Sequence, residues 1–257
     1  MLNTPCHIVS DLHLGVASAD IERSFEAYLT AITGKIPTLV INGDLFDFWF
    51  EWKTVIPRRG FRTLAALAAL RESGTEILYI AGNHDCWGGE VLREDVGVQY
   101  HVGPWEGSIG PWRVRVEHGD GLREVEDRKY RMVRPIMRSP LAIGMFRQLH
   151  PDWATRLASG SSNASRTYSA RDGGEGLRAI GHAQLASEPE LDVAVYGHSH
   201  VAALERVGDR QVFANAGSWL DAPTYLAIDD DRIALRTWNG STPNALTEGD
   251  ALHVIDR

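Results

Sequence analysis

Five short polar segments hold the residues whose types and spacing could do chemistry. They are Asp11-Leu12-His13, Gly43-Asp44-Leu45-Phe46-Asp47, Gly82-Asn83-His84-Asp85, His118-Gly119-Asp120 and Gly197-His198-Ser199-His200. Their donors are carboxylates, one amide oxygen and imidazoles, with no thiolate among them. Such a set suits hard or borderline divalent ions such as Mn, Fe, Co or Zn better than a cysteine-based structural zinc site. A carboxylate can bridge two ions, and Asp44, in a motif central to the set, is the natural bridge. Taken singly, each segment has a plain reading: a strand-end Asp commonly serves a turn or cap, and a lone His is commonly hydrogen-bonded packing. Five such segments in one order outweigh those readings. His7, His101, His150, His182 and His253 lack such company and are expected to be structural. Cys86, two residues past His84, is expected to pack rather than to attack.

Elements must deliver these segments to one place. Each follows directly on a short apolar run of strand character: His7–Val9, Thr38–Ile41, Ile77–Ile80, Val114–Val116 and Val193–Tyr196. Ligands of open α/β sheets gather at the carboxyl ends of strands. Asp11 and His13 are two residues apart, as are His198 and His200, so a continuing strand would aim each pair at one face. Gly43, Gly82, Gly119 and Gly197 are expected to let the backbone turn sharply beside them. Further strands are expected at Gln211–Ala214, Tyr225–Ile228 and Ile233–Arg236. Helices are expected over 18–33, with Ser18 as N-cap and Gly34 as stop, and over 61–72, ending at Gly74. Strand–helix–strand alternation followed by a run of strands predicts a layered α/β sandwich with a mixed sheet.

Residues 123–190 break that rhythm and read as a helical cap inserted into a single domain spanning 1–257. Residues 128–158 hold seven basic residues (Arg128, Lys129, Arg131, Arg134, Arg138, Arg147 and Arg156) and one acid, Asp152. The same stretch carries three of the four methionines and many large apolar residues, and Met suits adaptable apolar surfaces. Pro135 and Pro140 should divide it into short helices, and Ser159–Ser165 should form a turn. One reading is a cap that packs its apolar face on the domain. The other is a lipid-handling cap, with Met137 and Phe146 among its acyl contacts and its arginines meeting anionic headgroups.

Composition sets the outer limits. The 257 residues are 44% hydrophobic and 23% charged, enough for one sizeable core. A formal net charge of −8 gives no electrostatic reason to bind nucleic acid. Two cysteines argue against a disulfide framework. With no signal-peptide pattern and no spanning run, the expected location is the cytoplasm, with peripheral contact at the anionic inner-membrane face. No required protein partner is evident.

The five segments together resemble the calcineurin-like metallophosphoesterases, whose recurring pattern is D-x-H, G-D-x-x-D, G-N-H-D/E, a later H, and G-H-x-H. The resemblance spans residues 11–200 and implies an α/β (α+β) fold: a four-layer αββα sandwich of mixed sheets flanked by helices. It implies that Asp11, His13, Asp44 and His200 bind one ion and that Asp44, Asn83, His118 and His198 bind the other. His84 would sit over the scissile phosphate with Asp85 orienting it, so these two are the catalytic candidates. Two divalent ions per chain, Mn2+ first among the suited metals, would activate a water for in-line attack at phosphorus. A narrower resemblance is to the lipid A branch that cleaves the diphosphate of UDP-2,3-diacylglucosamine. It rests on the first two motifs, on the placement of the helical insert, and on Asp127 and Tyr130 after His118-Gly119-Asp120. It implies a nucleotide-sugar lipid substrate touched by Asn83, His84, Asp127, Tyr130, Asn163 and Arg166. One departure is His84, where the best-known members of that branch have Arg. Other phosphodiesterases, nucleotidases or protein phosphatases share the pattern, and a non-catalytic scaffold would be expected to lack ligands that are present here.

Overall fold

The structure, a computed structural model, describes residues 1–157, 172–240 and 251–257. Two mixed sheets pack face to face between helices. The first has seven strands in the order β12-β11-β10-β1-β2-β3-β4, and the second has five in the order β5-β6-β7-β9-β8. Strands β1 (Cys6–Val9), β2 (Thr38–Asn42), β3 (Glu76–Ile80) and β4 (Gln99–His101) run parallel, and β10 (Thr224–Ile228) pairs antiparallel with β1. β11 (Arg232–Thr237) and the edge strand β12 (Ala251–Asp256) complete that sheet. In the second sheet β6 (Trp112–Val116), β7 (Val193–Tyr196) and β9 (Gln211–Asn215) are parallel, bordered by antiparallel β5 (Trp105–Ile109) and β8 (Ala203–Val207).

Period-two alternation assigns each side chain to a layer. Ile8, Val40, Leu78 and Ile80 meet Val114, Val116, Val193 and Val195 between the sheets. Their neighbours Val9, Leu39, Ile41, Ile77 and Tyr79 face the other way, onto α1 (Ala19–Ile32) and α2 (Phe61–Glu72). Ala194, Tyr196 and Phe213 face outward from the second sheet onto α6 (Glu175–Ser187) through Leu177 and Leu185. The result is the expected αββα arrangement. Helix α1 starts where the sequence says it should: the Ser18 hydroxyl accepts from the Ile21 amide at 3.3 Å, and Phe25, Tyr28, Leu29 and Ile32 are buried. Each such side chain contributes roughly 1.5–3 kcal/mol by leaving water.

Under α1 lies a buried histidine, His7, whose Nδ1 is 2.9 Å from the Tyr28 hydroxyl. Burial, with Arg236 adding to it, pushes its pKa down from 6.5 to about 3. The folded state therefore refuses a proton that the unfolded chain accepts below pH 6.5, so stability falls as pH drops toward 3. Between pH 7 and 5 this group should remove roughly 2 kcal/mol of stability. Urea midpoints should drop more over that interval for the wild type than for His7→Gln. Equal drops would mean that the folded protein protonates His7 freely.

Between β6 and α6 the chain forms short helices: α3 (Arg128–Met137), α4 (Pro140–Phe146) and α5 (151–157). Pro140 opens α4 at its first turn, as the sequence implied, whereas Pro135 lies inside the last turn of α3. The inner side of this cap rests on an aromatic cluster of Phe48, Phe50, Trp52 and Trp87, which Ile143, Phe146 and Ala154 complete. Trp87 Nε1 donates to the Met137 carbonyl at 2.8 Å and Trp52 Nε1 to that of Leu149 at 3.3 Å. No helix among the described residues is long and apolar enough to cross a membrane.

Candidate metal centre

All five polar segments leave the carboxyl ends of β1, β2, β3, β6 and β7, and the two sheets bring them to one rim. The local backbone is not the expected continuing strand. Asp11, His13, Asp44, His198 and His200 have φ of 53°, 49°, 51°, 60° and 62°, and they are the non-glycine residues with positive φ among the described ones. The pairs two residues apart converge because both members sit in left-handed turns, not because of strand alternation. Each such residue costs on the order of 1–2 kcal/mol, strain that concentrates at functional sites. The glycines divide by cause. Gly43 and Gly119 take positive φ, as expected. Gly82 and Gly197 do not; they are small because a Cβ at Gly82 would strike the Asp44 carboxylate and one at Gly197 would strike Ser10 and Asp11.

Three overlapping groups of donor atoms result, and one of them, His13, Asp44 and His84, lies between the other two. Asp11, His13 and His200 form one, and Asp44, His118 and His198 the other, each with its donor atoms within 4.8 Å of one another. Asp44 faces both. Its Oδ1 accepts from the His84 amide at 2.9 Å. Its Oδ2 lies 3.3 Å from His118 Nε2 and 3.9 Å from His13 Nε2. In the first group His200 Nε2 is 3.4 Å from Asp11 Oδ1 and 3.2 Å from His13 Nε2. Asp11 Oδ2 is spoken for by the His198 amide at 3.0 Å and by the Ser10 hydroxyl. Asp11 Oδ1, His118 Nε2 and Asn83 Oδ1 are buried with no hydrogen-bond partner. Leaving such atoms unsatisfied costs about 1–3 kcal/mol each, and a cation at each of the outer two groups would satisfy them. The donors therefore fit two divalent ions with Asp44 between them.

Electrostatics agree. Burial raises the Asp44 pKa, but His118 and His84 outweigh it and hold the carboxyl well below the usual range. Burial lowers His118, but Asp44 and Asp11 raise it well above its ordinary value. His200 is pushed up to about 10 by Asp11 and Asp221 against burial. An ion bound at these donors would compete with the proton for each ring nitrogen.

Outer contacts fix the rings of His118, His200, His198 and His84. His118 Nδ1 donates to the Asn42 carbonyl at 2.8 Å. His200 Nδ1 is 3.3 Å from Asp221 Oδ2, and His198 Nε2 is 3.2 Å from Asp127 Oδ1. His84 Nδ1 donates to the Asp47 carbonyl at 2.9 Å, and Asp47 Oδ1 stands 3.7 Å from His13 Nδ1. Asp47 and Asp221 are orienting residues that sequence reasoning missed. Asp47 was legible as the last member of its motif; Asp221, 21 residues after His200, left no signal.

Asp85 does not orient the His84 ring. Its carboxylate accepts from the Leu45 and Gly82 amides at 2.8 Å and from the Tyr79 hydroxyl at 2.5 Å, so it ties the second polar segment to the third. Burial, helped by Asp44, lifts its pKa to about 6. Cys86 is buried, and burial pushes its thiol up to about 12, which leaves no thiolate to attack. Tyr130 is half-buried beside Asp120, which also pairs with Arg138 at 3.3 Å. Asn163, Arg166 and the Ser159–Ser165 turn lie outside the described residues.

Comparisons with known proteins place this geometry. Residues 4–202 match the calcineurin-like phosphoesterase family. A UDP-2,3-diacylglucosamine hydrolase of Porphyromonas gingivalis is 29% identical, covering 92% of this chain and 98% of the relative. One of Pseudomonas fluorescens is 27% identical, covering 94% and 99%. Among solved structures, a dimetal phosphatase of Danio rerio aligns with a TM-score of 0.45 at 10% identity, over 92% of this chain and 96% of that one. Vacuolar protein sorting 29 of Cryptosporidium parvum aligns with 0.45 at 16%, over 98% and 95%. The family match takes in all five polar segments, and the paired Asp–His groups have the donors such chemistry needs: the chain belongs to the calcineurin-like phosphoesterases, hydrolases of phosphoester bonds.

Proposed function

We propose that this chain cleaves the diphosphate of UDP-2,3-diacylglucosamine, releasing UMP and the diacylated glucosamine 1-phosphate, a step of lipid A biosynthesis. The observation that carries the hydrolytic part is Asp44 Oδ2, which faces His118 of one donor group and His13 of the other. Relatives bearing the name of that activity align over more than nine-tenths of the chain. Asp11, His13, Asp44 and His200 would hold one ion, and Asp44, Asn83, His118 and His198 the other. The thiolate-free donors suit Mn, Fe, Co or Zn, and Mn2+ is the ion we propose. Held there, two such ions would lower the pKa of a water toward neutrality and offset phosphoryl charge.

His84 does the chain's own part of the chemistry. Its Nδ1–H is committed to the Asp47 carbonyl, and Nε2, 3.9 Å from Asp44 Oδ2, is the atom we assign to a phosphoryl oxygen of the substrate. A sugar 1-phosphate leaves as a stable anion, so His84 acts by stabilising charge rather than by protonating the leaving group. Asp85 keeps the two loops in register.

The cap supplies the substrate class. Its outer side exposes Met132, Ile136, Leu141, Met145, Trp153 and Leu157, interspersed with the basic residues. Large apolar side chains exposed in such number on one inserted segment suit an apolar ligand. Acyl chains would lie against it, with Arg134, Arg138 and Tyr130 toward the diphosphate and the outer arginines toward anionic headgroups at the cytoplasmic membrane face. Of the acyl contacts expected from sequence, Phe146 packs partly buried against the aromatic cluster, and the Met137 carbonyl accepts from Trp87. The exposed set is therefore the one to test. Each methylene removed from water contributes about 0.8 kcal/mol. Leu141→Ser with Met145→Ser should lower kcat/KM on UDP-2,3-diacylglucosamine by roughly 10-fold or more and leave a small aryl phosphodiester unchanged. UDP-N-acetylglucosamine and a cyclic dinucleotide, the other arms of the panel, should be poor substrates. Equal losses on the acylated and aryl substrates, or a wild type that prefers the dinucleotide, would sink the lipid reading.

A further inference from the structure

The cap segment leaves the sandwich just after His118 and returns at α6, and a chain of buried charges joins these two points to one metal-facing histidine. Asp172 accepts from the Gly174 and Gly176 amides at the start of α6, both at 3.0 Å, and from Arg123 Nη1 at 3.1 Å. Arg123, 2% exposed, passes so close to Gly176 that a Cβ there would meet its side chain. Its Nη2 donates to Asp127 Oδ1 at 2.8 Å. Asp127 directly precedes α3 without a side-chain capping bond to it, accepts from the Gly121 and Arg123 amides at 3.1 Å, and lies 3.2 Å from His198 Nε2. Nδ1 of His198 is then the nitrogen left for an ion.

We propose that Asp127, Arg123 and Asp172 are positioning residues that set His198 for the second ion and thereby couple the occupancy of that ion to the seating of the cap. The proposal rests on the two-ion reading above. It gives Asp127 a role distinct from headgroup contact, since its carboxylate already serves Arg123, His198 and two amides. Carboxylates that hold the far nitrogen of a ligating histidine typically govern metal affinity by 10–100-fold. Coupling of this kind is reciprocal: whatever seats the cap tightens the ion, and the ion seats the cap to the same degree.

The test is Mn2+ binding to the full chain by calorimetry, fitted to two sites, with folding checked by near-ultraviolet circular dichroism. Asp127→Asn should weaken one ion by about 10-fold or more and leave the other unchanged. Asp172→Asn, which keeps one of the two oxygens that serve the α6 amides, should weaken the same ion by a smaller factor. Arg123→Lys should restore part of what Arg123→Gln loses. Added Mn2+ should slow trypsin cleavage within 123–157 in the wild type and less so in Asp127→Asn. Unchanged isotherms in Asp127→Asn and Asp172→Asn would overturn the proposal, and so would equal weakening of both ions, which signals general loosening. A wild type that binds fewer than two ions would instead overturn the two-ion reading on which it stands.

Discussion

Asp44→Ala should abolish hydrolysis and release both ions. The same oxygen, Oδ2, stands 3.3 Å from the His118 ring and 3.9 Å from the His13 ring, so one substitution removes a donor from each group. The neighbouring histidines would also lose the carboxylate that draws positive charge to them. Loss of a single transition-state donor costs 10²–10³-fold. Loss of a shared ligand should cost roughly 10³-fold or more at any attainable metal concentration. His118→Ala is the comparison: it should also abolish turnover, yet strip one ion and spare the other. Near-normal turnover of Asp44→Ala under saturating Mn2+ would remove the shared-ligand assignment.

His84→Ala should lower turnover by roughly 10²-fold or more while both ions stay bound. His84 Nε2 lies 3.9 Å from Asp44 Oδ2, as near as His13 does, and by distance alone His84 groups with His13 and Asp44. What separates it is its tether. Its Nδ1 is held by the Asp47 carbonyl and its amide by Asp44 Oδ1, and the first donor group is complete without it. Metal analysis of this variant decides between the roles. Loss of an ion together with activity would make His84 a ligand rather than a substrate donor.

The strands that end in chemistry were legible because each is a dense apolar run stopped by a glycine or an acid, and all five polar segments do meet. The layers followed from period-two alternation, visible in pairs such as Ile8 and Val9, which face opposite cores. Strands β4, β5, β8 and β12 were not read, because edge strands carry polar, half-exposed residues such as Gln99, Glu106, Glu205 and His253 and owe their existence to a partner strand. The left-handed turns were hidden for another reason: Asp and His tolerate positive φ better than most residues, but which of them adopt it is imposed by the surrounding structure. The orienting shell was the least legible part. Asp221 and the chain from Asp127 to Asp172 are joined to the site by folding alone, across 71 residues in the case of Asp127 and His198.

The most direct test of the account is stepwise loading of the metal-stripped protein with Mn2+, following bound metal and UMP release from UDP-2,3-diacylglucosamine together. Turnover should appear as the second equivalent fills, with two ions per chain at saturation. Full turnover with no ion or with one would contradict the two-ion centre at Asp44.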